Sequence, residues 1–284
     1  MTIQIPRHFE HAGQLPGGVV RFDPRDGLAD TRIVIDYRYC DFVRPPGALW
    51  SLVYGLLVLS TGAELILLVP ENIGVAGYLQ TIGLFRILKN AGTEIDDRGV
   101  APTDLRRIGI DLRRFETEQD VDDIANEALE HLSAQDLGAP NLRPIVAETF
   151  AELGSNAVQH SNSTIHSYGM IQYYEWESGA RFACIVADGG IGIRRSLERN
   201  PSLQGRVYYD WDAIELAMQE RVSGTGIPTR GIGLYAIAED MRKPGHQFLI
   251  HSGIGLVRQS EELEADARRT TLFPGTLAYA TIPA

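Results

Sequence analysis

The chain has 284 residues, of which 44% are hydrophobic and 22% charged, and a formal net charge of -11. The length suits two domains and the composition suits a globular protein that buries a core. The acidic balance argues against broad nucleic-acid binding, which needs a basic footprint, so nucleic acid is not an expected partner.

Residues 1–14 contain no long apolar segment, and no secretory signal is expected. Val19 to Asp23 and Thr31 to Tyr37 read as strands rich in β-branched residues. Pro45 and Pro46 open a helix that runs from about Gly47 to Ser60 and stops at Gly62. Glu64 to Val69 is a near-continuous apolar run, the mark of a strand covered on both faces. The whole apolar stretch from Ala48 to Pro70 is interrupted by Ser60, Gly62 and Glu64, so it reads as helix, turn and strand rather than a membrane span. A helix over Ala76 to Asn90 and a short strand at Thr93 to Ile95 complete a small α/β unit. The two cysteines, Cys40 and Cys184, sit in apolar runs with no zinc spacing, which implies buried thiols, a reducing compartment and a cytoplasmic protein.

Asp96 to Phe115 is polar and weakly periodic, and is expected to connect the domains. A helix follows from about Glu116 to Ala134, with Val121, Ile124, Ala128 and Leu132 at helical spacing. Another helix runs from near Pro144 to near His160, and strands fill Ile165 to Trp176 and Arg181 to Ala187.

Four constellations carry chemistry. In Glu152-Leu-Gly-Ser-Asn156-Ala157-Val-Gln-His160, the carboxylate, amide and imidazole recur every fourth residue on one helix face. A carboxylate can activate water, and an amide oxygen is a hard ligand suited to Mg²⁺. Asp188-Gly189-Gly190-Ile191-Gly192 follows an apolar strand. An ionised Asp is acceptor-only, so it can take the amino group of adenine, and the glycines admit close approach. Gly231-Ile232-Gly233-Leu234 opens a helix whose free N–H groups suit phosphate, and the polar Ser223 to Gly226 before it suits a lid. Gly275-Thr276 opens the closing strand, Leu277 to Pro283. Singly, these are also what a solvated helix face and ordinary turns look like.

Taken in order, the four resemble the GHKL (Bergerat-fold, histidine kinase-like) ATPase superfamily over about Glu116 to Ala284. That superfamily includes gyrase B subunits, mismatch-repair and heat-shock ATPases, sensor histidine kinases and anti-sigma factor serine kinases. The resemblance implies an α+β protein whose C-terminal part, residues 113–284, is a two-layer α/β sandwich with helices on one face of a mixed sheet. It implies Glu152 as general base, Asn156 as Mg²⁺ ligand, Asp188 as adenine reader and Gly190 and Gly192 at the base pocket. Gly231, Gly233 and Leu234 would lie at the phosphates, and Thr276 beside Asp188, with ATP and Mg²⁺ as cofactors.

Within the superfamily, the pattern is closest to the anti-sigma serine kinases, which share Glu-x-x-x-Asn-Ala-x-x-His. No transducer domain is expected, neither Lys89 nor Lys243 is placed to reach a γ-phosphate, and His131 is followed by Leu132 rather than an acid. Residues 1–112 more loosely resemble a STAS-like domain, over Val19 to Ile95. Where such domains carry a phosphorylatable serine, this chain reads Val43-Arg44-Pro45-Pro46-Gly47, which implies a docking or dimerising scaffold without that switch. The expected function is a regulatory protein that binds Mg·ATP and hydrolyses it slowly or passes the phosphoryl group to a protein partner. The alternative is an ATP-gated interaction module without turnover. A sigma factor, another regulator and an effector enzyme all remain open as that partner, as does a homodimer, and no membrane association is expected.

Overall fold

The aliphatic runs of the first hundred residues form a parallel sheet, and those of the remainder a second, five-stranded sheet. The computed structural model describes residues 1–15, 22–97, 99–103, 108–176, 179–222, 224, 233–261 and 263–284, with backbone alone for 108, 176 and 263–266. The chain divides into two units: Met1–Arg106 with Thr270–Pro274, and Arg107–Arg269 with Gly275–Ala284.

In the first unit the elements are β1 (Thr2–Gln4), β2 (His8–Phe9), β3 (Arg32–Asp36), β4 (Phe42–Val43), α1 (Pro45–Ser60), β5 (Glu64–Leu68), α2 (Ile73–Thr81), α3 (Leu84–Asn90) and β6 (Glu94–Ile95). The sheet order is β1-β3-β5-β6, and every ladder is parallel, with Ile33 opposite Leu65 and Ile35 opposite Leu67. β2 and β4 pair separately. Helix α1 starts where Arg44 is extended and two prolines fill the first turn, where the missing N–H groups have no intrahelical partner. Its Trp50 stacks on Tyr54 at 4.9 Å and donates its indole N–H to the Leu272 carbonyl at 3.4 Å. At the end of β3, the buried Asp36 accepts from the Arg38 backbone and guanidinium, which hold its carboxyl below the usual range.

One expectation for this unit changes, one lies mostly outside the described residues, and one strand is added. The helix expected over Ala76 to Asn90 is two helices, because Gly83 takes a left-handed φ of 84° between them. Most of the strand expected at Val19 to Asp23 lies outside the described residues, and Asp23 caps a short 3₁₀ turn instead. The sheet also gains β1 as an edge strand, too short for its alternation to be read.

The second unit contains β7 (Ile108–Phe115), α4 (Glu118–Ala134), α5 (Leu142–His160), β8 (Ser167–Trp176), β9 (Gly179–Asp188), α6 (Gly192–Glu198), α7 (Asp210–Ala217), α8 (Gly233–Asp240), β10 (Gln247–Ser260) and β11 (Leu263–Pro283). Its sheet order is β10-β11-β9-β8-β7. The ladders β7–β8, β8–β9 and β9–β11 are antiparallel. Residues 108–115, expected within a connection, are an edge strand of this sheet, with Ile110, Leu112 and Phe115 buried and the charges of Asp111, Arg113 and Arg114 between them.

Helix α4 opens with a capping box from Thr117 and Asp120. Its stripe of Val121, Ile124, Ala128 and Leu132 packs with Val146, Phe150 and Leu153 of α5 against Ile171, Phe182, Cys184 and Ile250 of the sheet. Burying about four such aliphatic side chains per helix stabilises the contact by several kcal/mol, at about 1.5–3 kcal/mol each. Both cysteines are buried free thiols, and burial pushes Cys40 up to about 11 and Cys184 up to about 12. Among the described residues no helix is long and apolar enough to cross a membrane.

Candidate functional site

The packing of α5 on the sheet leaves one side of that helix uncovered, and a cavity forms there. It holds about 790 Å³ of empty space, its open mouth included. Asn156 and His160 of α5, Asp188 at the end of β9, Gly192 at the start of α6, Leu234 of α8 and Thr276 of β11 all line it. Aliphatic residues form most of the rest of the wall, among them Leu153, Val186, Leu197 and Ile250, with Ser161, Ser196 and Gly224 between them. Each of the four separate stretches of sequence therefore sends at least one singled-out residue to one space, while Glu152, Gly190 and Gly233 stand outside its lining. A mostly apolar slot with a few placed polar groups is the usual build of a small-molecule site.

Asp188 is 3% exposed, and its Oδ1 accepts the Gly190 N–H at 2.8 Å. Thr276 lies directly opposite it across the β9–β11 ladder. The amide of Asn156 donates from Nδ2 to the Glu152 carbonyl at 2.8 Å, which assigns Oδ1 as the atom that can meet a cation. Among the described residues no group of three or more His, Cys, Asp or Glu is gathered to hold a metal ion. A single amide oxygen fits Mg²⁺ that arrives with phosphate oxygens and waters as its other ligands.

Glu152 does not line the cavity. Its residue is exposed, and its carboxylate lies against the backbone of Gly233 at the start of α8, where an added Cβ would fall 2.6 Å from the carboxyl carbon. Partial burial, and then the negative charge of Glu118, raise its pKa above the ordinary glutamate value. Gly190 also stands outside the lining. It packs on the end of α5, where a Cβ would lie 2.5 Å from the Ser161 carbonyl carbon, and the neighbouring Ile191 N–H donates to the Ser161 carbonyl at 2.8 Å. Its role here is close packing. Gly231 lies outside the described residues.

Of the Ser223 to Gly226 stretch expected to act as a lid, only Gly224 is among the described residues, and it lines the cavity; ahead of it stand α6 and α7. These pack around Leu197, Leu203, Val207, Ala213 and Ala217, and share Ile193 and Leu234 with the main core. Asp210 ties them to β10: its Oδ2 accepts the Ile254 N–H at 2.8 Å, and its Oδ1 lies 2.8 Å from Arg194 Nε.

Among the residues the sequence did not single out, Ser161, Ile193 and Ser196 line the cavity, and Ser252 stands just behind its wall. Ser252 of β10, 2% exposed, accepts the Ile193 N–H at 2.9 Å and donates to the Gly275 carbonyl at 2.9 Å. Its oxygen is also 3.2 Å from Thr276 Oγ1. A lone serine in an apolar strand has no motif around it. No protein-family model matches the chain, and no curated protein matches it.

Proposed function

We propose that the second unit binds Mg·ATP in this cavity as a GHKL-type ATPase. The observation that carries the reading is the convergence of Asn156, Asp188, Gly192, Leu234 and Thr276 on one largely apolar slot. The base would lie in the slot with its amino group toward Asp188, and Asn156 would hold the metal against the phosphates. Bound Mg²⁺ would neutralise charge on the phosphates, leaving positioning as the main task of the protein. Glu152, its pKa raised, would take the proton of the attacking nucleophile, either water or a hydroxyl on a protein partner.

The Bergerat fold and the STAS-like character of the first unit belong to the same proposal. The first unit would then be a docking scaffold, with Pro45 and Pro46 standing where a phosphorylatable serine would be needed. A second reading, an ATP-gated interaction module without turnover, is favoured by the small core of α6 and α7. That core shares Ile193 and Leu234 with the main one, so a ligand in the cavity would shift both. Calorimetric titration with ATP and Mg²⁺, beside a phosphate-release assay, separates these readings: binding with release supports the ATPase, and binding without release the module.

A further inference from the structure

The hydroxyl of Ser252 has one proton to donate and two lone pairs to accept with. The donor goes to the Gly275 carbonyl at 2.9 Å, and the Ile193 N–H occupies one lone pair at 2.9 Å. With its own proton so placed, Ser252 takes its 3.2 Å contact with Thr276 as acceptor of the Thr276 hydroxyl proton. A single buried side chain therefore uses its whole hydrogen-bonding capacity to join the first turn of α6 to the start of the closing segment of β11.

Both joined segments border Asp188. Gly192 has a left-handed φ of 78°, and a Cβ there would lie 2.9 Å from Ser252 Oγ, so the chain turns into α6 directly over this hydroxyl. Thr276 is the register partner of Asp188, and a Cβ on Gly275 would lie 2.8 Å from the Asp188 carbonyl carbon. The position of the Asp188 carboxylate relative to the far wall of the cavity thus depends on a junction that Ser252 closes.

We propose that Ser252 is a specificity-determining positioning residue, one that sets how strictly the cavity tells an amino-bearing purine from an oxo-bearing one. This rests on the ATP-binding reading above. An acceptor-only carboxylate attracts the amino group of adenine and repels the carbonyl of guanine, but only while the base is held in register with it. Loss of the Ser252 junction lets the Gly192 turn shift, and a base that can slide loses part of the attraction and escapes part of the repulsion.

The test is calorimetric titration of wild type, Ser252→Ala and Ser252→Cys with Mg·ATP and Mg·GTP, with thermal melts on the same samples. Ser252→Cys keeps the side-chain shape with a somewhat larger atom, leaves no void, and offers only a weak donor and acceptor. The expected result is ATP affinity lowered by about tenfold in both variants, on the scale of one buried hydrogen bond, with GTP affinity changed less, so that the preference narrows. If Ser252→Ala does not fold, Ser252→Cys carries the comparison. An ATP preference equal to wild type in a folded variant, or one fully restored by cysteine, overturns the proposal and leaves ATP binding standing. A wild-type protein that binds neither nucleotide removes the ATP reading, and this inference with it.

Discussion

Replacing Gly233 with alanine separates catalysis from stability in a way the structure makes quantitative. The new Cβ would fall on Glu152 Oε2 and 2.6 Å from its carboxyl carbon. Carbon–carbon contacts are comfortable at about 3.5–4.0 Å, so the carboxylate must retreat by roughly 1 Å. It is the tip of an exposed, flexible side chain, and it can retreat at little cost to folding. Alanine also restricts the unfolded chain more than glycine does, which offsets part of any strain at this first helical position. The melting temperature of Gly233→Ala should therefore stay close to that of wild type. Displacing a reacting group by about 1 Å costs on the order of a hundredfold in rate. Single-turnover phosphate release should fall by about that factor, while ATP affinity measured by calorimetry changes far less. A Gly233→Ala protein with wild-type release would show that the contact between Glu152 and α8 has no part in turnover.

The pH dependence and the packing of the base pocket give two further outcomes. Because partial burial and Glu118 raise the Glu152 pKa, turnover should rise with pH through a value above that of an ordinary glutamate, and Glu152→Gln should abolish that limb. The same raised pKa means that the stability contributed by this group is present below its unfolded value and lost as pH rises through its folded value, so Glu152→Gln should melt higher than wild type at neutral pH. A lower melting temperature for Glu152→Gln at neutral pH would contradict that sign. Gly190→Ala should be destabilised by roughly 1–3 kcal/mol in urea titration, since its Cβ meets the backbone of Ser161, which cannot swing away. An unchanged urea midpoint would mean that the loop after β9 is not packed against the end of α5.

How much of this was legible in the sequence depended on whether each element stated its own boundaries. Helix α4 announces itself through Thr117, Asp120 and a clean stripe, and β9 through an unbroken apolar run that ends on Asp188. β10 was not among the expected strands, and Gly253 and Gly255 interrupt its apolar run. In the structure they lie where α7 presses on the strand, and a Cβ on Gly255 would meet the Trp211 backbone nitrogen at 2.5 Å. β7 was hidden by Asp111, Arg113 and Arg114, charges that an edge strand tolerates and a central one does not. Polar motif residues could be grouped from spacing alone. Ser252 could not, since its meaning lies in three partners distant in sequence.

The most direct test of the central claim is calorimetric titration of wild type and Asp188→Ala with ATP in the presence of Mg²⁺. Asp188 is buried in the cavity wall, and no other described carboxylate lines that space. The account predicts saturable binding by wild type and its loss in a folded Asp188→Ala protein. Equal binding by the two proteins, or no binding by wild type, would contradict it.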